Sequence, residues 1–254
     1  MNRNICAQYK TADYLRTRIS VHEKYSVNKQ PFGRWIAGHY EIFQGSRILE
    51  LGCGTGDMWK DQLELLPEDS SLLLTDFSAG MLEKARENVG IHPQVAYRIV
   101  DILEIPYPDD SFDVVIANMM LYHVPDLHKG LAQVRRVLKP GGKFYCATYG
   151  EHGIMEFINE TLRDQGIHGE IGKTFTLQNG AAILRQHFDE VQMDTREDGL
   201  AVTDVWDFVA YVLSLSALTG ISEASTDSLY RAFREKTIDG ILYVPKEYGM
   251  FICK

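Results

Sequence analysis

Short apolar runs alternate with helix-length amphipathic segments through the middle of this chain. The apolar runs predict strands at 47–51, 71–76, 95–101, 112–118 and 142–148, and the segments between them predict helices near 57–66, 79–90 and 126–138. Repeated strand–helix–strand units place parallel strands side by side and cover both faces of the sheet with helices. The pattern therefore predicts an α/β protein with a doubly wound, Rossmann-like, mostly parallel sheet.

Two flanking regions depart from this alternation. Residues 10–44 read as helices that precede the first strand. After residue 150, further helical segments and two strand-like runs follow, predicted at 153–165, 176–187, 204–219 and 226–238 for helices and at 191–196 and 248–253 for strands. We find no internal repeat and no low-complexity linker.

Three glycines follow the first predicted strand at alternate positions, namely Gly52, Gly54 and Gly56. Glycine at a strand-to-helix junction lets a ligand approach backbone N–H groups closely. The second predicted strand ends in Asp76, twenty residues after Gly56. Doubly wound folds place a ribose-binding carboxylate at that distance, so the pattern predicts a cofactor that carries a nucleoside.

The glycine spacing argues against a dinucleotide. The dinucleotide fingerprint is G-x-G-x-x-G, whereas this chain has G-x-G-x-G with Glu50 just before it. A carboxylate there would repel a pyrophosphate and attract an ammonium or a sulfonium. The stretch resembles motif I of the class I S-adenosylmethionine-dependent methyltransferases, and the resemblance continues in the same order through 76–82, 100–102, 112–118 and 136–142.

The resemblance implies a fold, a domain organisation and a cofactor. It implies one domain over 1–254 with a seven-stranded sheet whose last strand is antiparallel. Residues 1–44 would be an N-terminal helical segment, 45–150 the cofactor-binding core, and 151–254 the remaining strands with a helical cap inserted after the fifth strand. S-adenosylmethionine is the implied cofactor, and in-line methyl transfer to oxygen, nitrogen or carbon of a small molecule is the implied reaction.

Residues at the strand ends then receive roles from the resemblance. Asp76 would bind the ribose hydroxyls, and the glycines would admit the methionine and ribose portions. Glu50 would orient the ammonium group of the cofactor or accept hydrogen bonds from the N–H groups of the turn. The other implied cofactor-binding residues are Phe77, Met81, Asp101 and Ile102 near the adenine and Asn118 near the amino-acid end.

The acceptor side of the reaction is less defined by the sequence. His123 is the candidate for proton transfer, with fixing of its own loop as an equally good interpretation. Candidates for substrate contact are Tyr14, His22, Tyr25, Tyr122 and His152. Packing roles are the alternative for the residues of the N-terminal segment.

Composition limits the remaining choices. The net charge of −9 argues against nucleic acid as a partner. No N-P-P-Y tetrapeptide follows the fourth predicted strand, and its absence counts against a methyltransferase for amino groups of nucleic acids or proteins. The four cysteines form no C-x-x-C pair, so we expect no metal site, and we expect a cytoplasmic protein without a signal peptide or a membrane span. An NAD(P)-dependent oxidoreductase and a non-catalytic module that binds S-adenosylmethionine or S-adenosylhomocysteine stay open as alternatives.

Overall fold

The computed structural model describes residues 12–166, 169, 172–215 and 225–254, and they form two compact units. The first unit takes its residues from Met1–Pro31, Gly150–Lys173 and Arg196–Tyr248. The second unit takes its residues from Phe32–Tyr149, Thr174–Thr195 and Gly249–Lys254.

The described elements are as follows. The helices are α1 (Ala12–Tyr25), α2 (Phe32–Ala37), α3 (Ala79–Val89), α4 (Leu127–Val137), α5 (Ile154–Leu162), α6 (Gly180–Leu184), α7 (Val205–Ser214) and α8 (Thr226–Glu235). The strands are β1 (Arg47–Leu51), β2 (Ser71–Asp76), β3 (Val95–Ile99), β4 (Phe112–Ile116), β5 (Leu138–Tyr149), β6 (Val191–Val202) and β7 (Leu242–Cys253). Short 3₁₀ turns occur at Leu63–Leu65, Leu121–His123 and Arg163–Gln165.

The seven strands form one sheet in the order β3-β2-β1-β4-β5-β7-β6. The strands from β1 to β5 pair in parallel, and Leu49 of β1 lies between Leu73 of β2 and Val115 of β4. The last strand is antiparallel, so the predicted Rossmann-like architecture is confirmed. This order brings the carboxyl ends of β1, β2 and β4 to one edge, where open α/β sheets bind their ligands.

Both faces of this sheet are buried in the second unit. Alternate residues of a strand point to opposite faces, so Leu49 and Val115 enter one hydrophobic cluster while Ile48 and Val114 enter the other. Burial on both faces explains why these strands read as continuous apolar runs in the sequence. The buried sheet gives the strand ends a rigid base.

The first unit has its own hydrophobic core, formed by one face of each of α1, α5, α7 and α8. Phe208, Val209 and Val212 of α7 lie at helical spacing and are almost fully buried there. A buried ion cluster accompanies this core, in which Asp198 contacts both Arg196 and Lys246. Burial opposes ionisation of Asp198, but its hydrogen bonds, that from Lys246 foremost, hold its pKa below the usual range.

Several predicted boundaries are wrong. Residues 57–66 form consecutive turns rather than an α-helix, because their backbone bonds join residues three apart and end in the 3₁₀ turn before Pro67. The strand predicted at 142–148 begins at Leu138 and carries a register shift opposite β4. The predicted helix at 176–187 shortens to α6, and the one at 204–219 to α7, with 216–219 outside the described residues. None of the described helices combines the length and apolar character needed to cross a bilayer.

Candidate cofactor site

The turn after β1 has an unusual backbone. Gly52, Gly54 and Gly56 have φ angles of 69°, 57° and 73°, a region that residues with a Cβ enter only with strain. A Cβ at Gly56 would lie 2.8 Å from Val89, and one at Gly52 would lie 3.0 Å from Met120. A Cβ at Gly54 would meet no atom within 4 Å. Packing thus explains two of the glycines, while Gly54 borders open space that a ligand can enter.

Asp76 closes β2 beside this turn and is buried. Its Oδ2 accepts a hydrogen bond from the Gly54 N–H at 3.0 Å, and its Oδ1 accepts one from the Ser78 N–H at 2.8 Å. Each carboxylate oxygen has a further lone pair for a hydroxyl donor. Burial raises the pKa of Asp76, and the backbone donors oppose that rise.

Glu50 is also buried, two residues before Gly52 in the chain. The indole N–H of Trp59 donates to its carboxylate, and the Thr75 hydroxyl donates to its backbone carbonyl at 2.6 Å. The pKa of Glu50 is raised to about 7, because burial and, to a smaller extent, the charge of Asp76 outweigh the opposing hydrogen bond from Trp59. Among the described residues, neither carboxylate has an Arg, Lys or His within ion-pair distance.

Asn118 links the end of β4 to a residue that sequence reasoning did not place in the site. Its amide nitrogen donates to the Tyr40 hydroxyl at 2.6 Å, and its amide oxygen accepts from the Ala147 N–H at 3.2 Å. The Tyr40 ring stacks on Trp59 with centroids 6.2 Å apart. Burial and then the charge of Glu50 raise the pKa of Tyr40 far above its usual value. Tyr40 and Trp59 therefore connect Asn118, after β4, with the Glu50 carboxylate of β1.

The segment after β4 carries strain and an aromatic cluster. Met119, next to Asn118, has a φ of 53°, which is rare for a residue with a side chain and is typical of functional sites. Beyond it, the Tyr122 ring lies 4.4 Å from the His123 ring and 4.6 Å from the Tyr149 ring. His123 is thus brought together with Tyr122 near the carboxyl ends of β4 and β5.

The candidates for adenine contact differ in exposure. Asp101 is exposed at the turn after β3, where its carboxylate accepts from the Leu103 N–H at 2.9 Å. The Phe77 side chain is partly exposed, whereas Met81 and Ile102 are buried, at 5% and 6% exposure. Both side chains belong to the core, which is the packing role that the sequence left open for Met81, and their contact with the adenine stays a prediction.

Four substrate candidates lie in the first unit. Tyr14 is 44% exposed, and His152 is exposed beside Glu156. Tyr25 is buried and donates to Asp207 at 2.6 Å, which gives it a structural contact. His22 lies edge-on against Tyr211 and Tyr248, and its Nδ1 is buried without a hydrogen-bond partner.

The described cavities do not include any of the predicted site residues. An open groove of about 700 Å³ in the first unit lies between Val27 and the strand residues Asp198 and Tyr243. A smaller one, of about 140 Å³, borders Asp113 and Lys139 near the amino end of β4. In the described part of the chain, no three His, Cys, Asp or Glu residues are grouped so that they could hold a metal ion.

Comparison with known proteins agrees with the geometry of the strand ends. A family model described as a methyltransferase domain matches residues 49–146. The ubiquinone/menaquinone biosynthesis C-methyltransferase UbiE of Vibrio campbellii is 39% identical over 184 residues, which cover 67% of this chain and 70% of that protein. This chain belongs to the class I S-adenosylmethionine-dependent methyltransferases.

Other relatives match a smaller part of their length. The demethylmenaquinone methyltransferase of Symbiobacterium thermophilum is 31% identical over 137 residues, which cover 50% of this chain and 55% of that protein. The first such relatives are covered to between 46% and 57%, so the chain spans about half of their length. A methyltransferase structure from Anabaena variabilis, at 15% identity and a TM-score of 0.60, covers 87% of this chain and 96% of its own and shows the shared fold.

S-adenosylmethionine is the cofactor of this methyltransferase family, and the residues at the strand ends fit it. The open space at Gly54 admits a ligand against backbone. The carboxylate of Asp76 has lone pairs of the kind that a pair of ribose hydroxyls requires. Two buried carboxylates with no ion-pair partner among the described residues suit a ligand that carries positive charge. The same carboxylates disfavour a pyrophosphate, which counts against an NAD(P)-dependent oxidoreductase.

Proposed function

We propose that this protein transfers the methyl group of S-adenosylmethionine to a small organic acceptor, with a carbon of a quinone-type ring as the preferred target. The observation that carries the proposal is the open space at Gly54, whose N–H donates to the buried carboxylate of Asp76. Relatives named for menaquinone and ubiquinone biosynthesis support the acceptor class.

The chain's own residues have distinct parts in this proposal. When bound, the cofactor supplies an activated methyl group on a sulfonium sulfur. Asp76 holds the ribose, and Glu50 with Asn118 orients the amino-acid end. The turn from Gly52 to Gly56 keeps the ligand against backbone, and alignment of the reacting atoms can lower the barrier of a displacement reaction by several kcal/mol, up to about 7–11 kcal/mol.

The aromatic cluster of Tyr122, His123 and Tyr149 supports a flat acceptor. The Tyr122 ring lies 4.4 Å from the His123 ring and 4.6 Å from the Tyr149 ring, and aromatic pairs gain energy beyond their buried area, which favours an aromatic acceptor beside them. In this proposal the His123 imidazole holds the acceptor hydroxyl or takes its proton, which makes the ring carbon beside it more nucleophilic.

The test separates cofactor binding from turnover. Titration calorimetry should show S-adenosylmethionine binding that Asp76→Ala abolishes, since the ribose contacts are then lost. Mass spectrometry of mixtures with reduced naphthoquinones, catechols and indoles should show a methylated product and released S-adenosylhomocysteine. His123→Ala should lower turnover at least about tenfold with cofactor affinity kept, as removal of a general base does.

The matched control is His128→Ala, an exposed histidine of the same unit that contacts His187. It should leave turnover within about twofold, because it carries no part of the proposed chemistry. No binding of S-adenosylmethionine would refute the proposal. Binding without any methylated product from the whole acceptor panel would favour the alternative of a non-catalytic module.

A further inference from the structure

Two buried carboxylates lie next to the glycine turn in the chain or by a hydrogen bond, and among the described residues neither forms an ion pair with an Arg, Lys or His. Glu50 is 2% exposed and Asp76 is 6% exposed, and they lie on the neighbouring strands β1 and β2. Buried charges in proteins are normally paired or neutralised, because transfer out of water is costly. Within the part of the chain that the structure describes, a proton or a bound cation is what can balance these two charges.

The two carboxylates differ in what satisfies them. Asp76 accepts two backbone N–H bonds, which favour its ionised form. Glu50 accepts one side-chain bond, from the neutral indole of Trp59. Among the described residues, the titratable groups coupled to Glu50 are Asp76, the Tyr40 phenol and the Cys53 thiol. Each of these groups is neutral or negative. Glu50 is therefore the group whose charge a bound cation changes most.

We propose that Glu50, held by Trp59, makes this protein discriminate between the charged methyl donor and its neutral thioether product. The sulfonium of S-adenosylmethionine carries a positive charge that can balance the buried carboxylate, whereas the sulfur of S-adenosylhomocysteine is uncharged. Ionised Glu50 favours the donor over the product, and protonated Glu50 does not. The inference rests on the proposed function and names the residue that limits inhibition by the product.

Proton linkage gives the inference a measurable form. A ligand that prefers ionised Glu50 releases a proton when it binds to the protonated form, so its affinity rises with pH. The raised pKa of Glu50, about 7, places this effect near neutral pH. Between pH 6 and pH 8 the affinity ratio of donor to product should rise about tenfold in the unmodified protein.

The experiment is calorimetric titration of both ligands at pH 6, 7 and 8, in two buffers that differ in ionisation enthalpy. Glu50→Gln keeps an acceptor for the Trp59 N–H and removes the charge, so the ratio should vary less than about twofold and the released proton should disappear. Comparing the variant with the unmodified protein cancels titration of the ligands' own amino groups. Trp59→Phe removes the donor to Glu50, so it should move the transition to higher pH.

Glu64→Gln is the matched control, because it removes one exposed carboxylate of the same unit. It should retain the pH-dependent ratio, since exposed charges are screened. Equal pH dependence for donor and product would overturn the inference and would mean that Glu50 responds only to the amino-acid end that both ligands share. Absence of binding by both ligands would instead refute the proposed function.

Discussion

His22 provides a direct test of how the first unit responds to acid. Its imidazole is packed between Tyr211 and Tyr248, with ring centroids 5.5 and 6.1 Å away. Burial foremost, and then the charges of Lys246, Arg18 and Arg196, lower the pKa of His22 from its usual 6.5 to about 3, with Asp198 opposing them. We predict that His22→Phe, which keeps a ring of similar size, removes this sensitivity to acid.

The expected size follows from linkage. The unfolded chain binds the proton near pH 6.5 and the folded chain only near pH 3, so stability is lost as the pH falls through this window. At pH 5 the loss due to His22 is about 2 kcal/mol, at ~1.4 kcal/mol for each pH unit below 6.5. The free energy of unfolding of His22→Phe, relative to the unmodified protein, should therefore rise by about this amount between pH 8 and pH 5.

Urea unfolding at pH 8, 6.5 and 5, followed by circular dichroism and by tryptophan fluorescence, measures this difference. His152→Gln is the control, because it removes an exposed histidine of the same unit and should give no comparable change. Parallel pH profiles for His22→Phe and the unmodified protein would mean that His22 is protonated in the folded state. Burial among cations would then not be what keeps His22 neutral in the folded protein.

Three further predictions concern other buried groups. Glu50→Gln should stabilise the protein by up to about 3 kcal/mol at pH 8 and by little at pH 4.5, since an acid with a raised pKa destabilises the fold when it ionises; urea midpoints at both pH values measure this. Gly56→Ala should lower the melting temperature more than Gly54→Ala, because both changes strain a positive φ but only the Cβ at residue 56 also meets Val89. Gly54→Ala should in addition reduce the stabilisation by S-adenosylmethionine, which thermal shift with and without that ligand measures. Asp198→Asn should cost about 3 to 5 kcal/mol in denaturant unfolding, because it leaves two buried cations unbalanced.

The sheet was predictable because its signal is local and repeated. Each parallel strand is buried on both faces, so β1 and β2 were read from apolar runs alone and their bounds are confirmed. The structure of residues 57–66 could not be predicted in the same way. Their composition is typical of a helix, but they form turns that include Trp59 and end before Pro67. Short turns with hydrogen bonds between residues three apart do not require a repeated spacing of apolar residues, so the sequence carries no pattern that predicts them.

The residues of the candidate site also differ in whether the sequence could predict them. Gly54 and Asp76 were predictable because a tight turn and a strand-end acid occupy fixed positions in the sequence. Tyr40 was not, because its hydroxyl meets Asn118 across a separation of 78 residues. The aromatic spacing of the segment near Tyr40 indicated only that one of its faces is apolar, and nothing in that pattern specifies a polar partner.

Trp59 shows why a core residue can matter to the ligand without touching it. Its ring is 2% exposed and packs in the core below the sheet edge, which is the role expected of a large aromatic residue. Its one polar atom, however, is the donor to the Glu50 carboxylate, and that bond favours the ionised form. A substitution that keeps the packing but removes the N–H therefore changes the charge facing the glycine turn, so the hydrophobic core and the electrostatics of the cofactor site are connected through a single side chain.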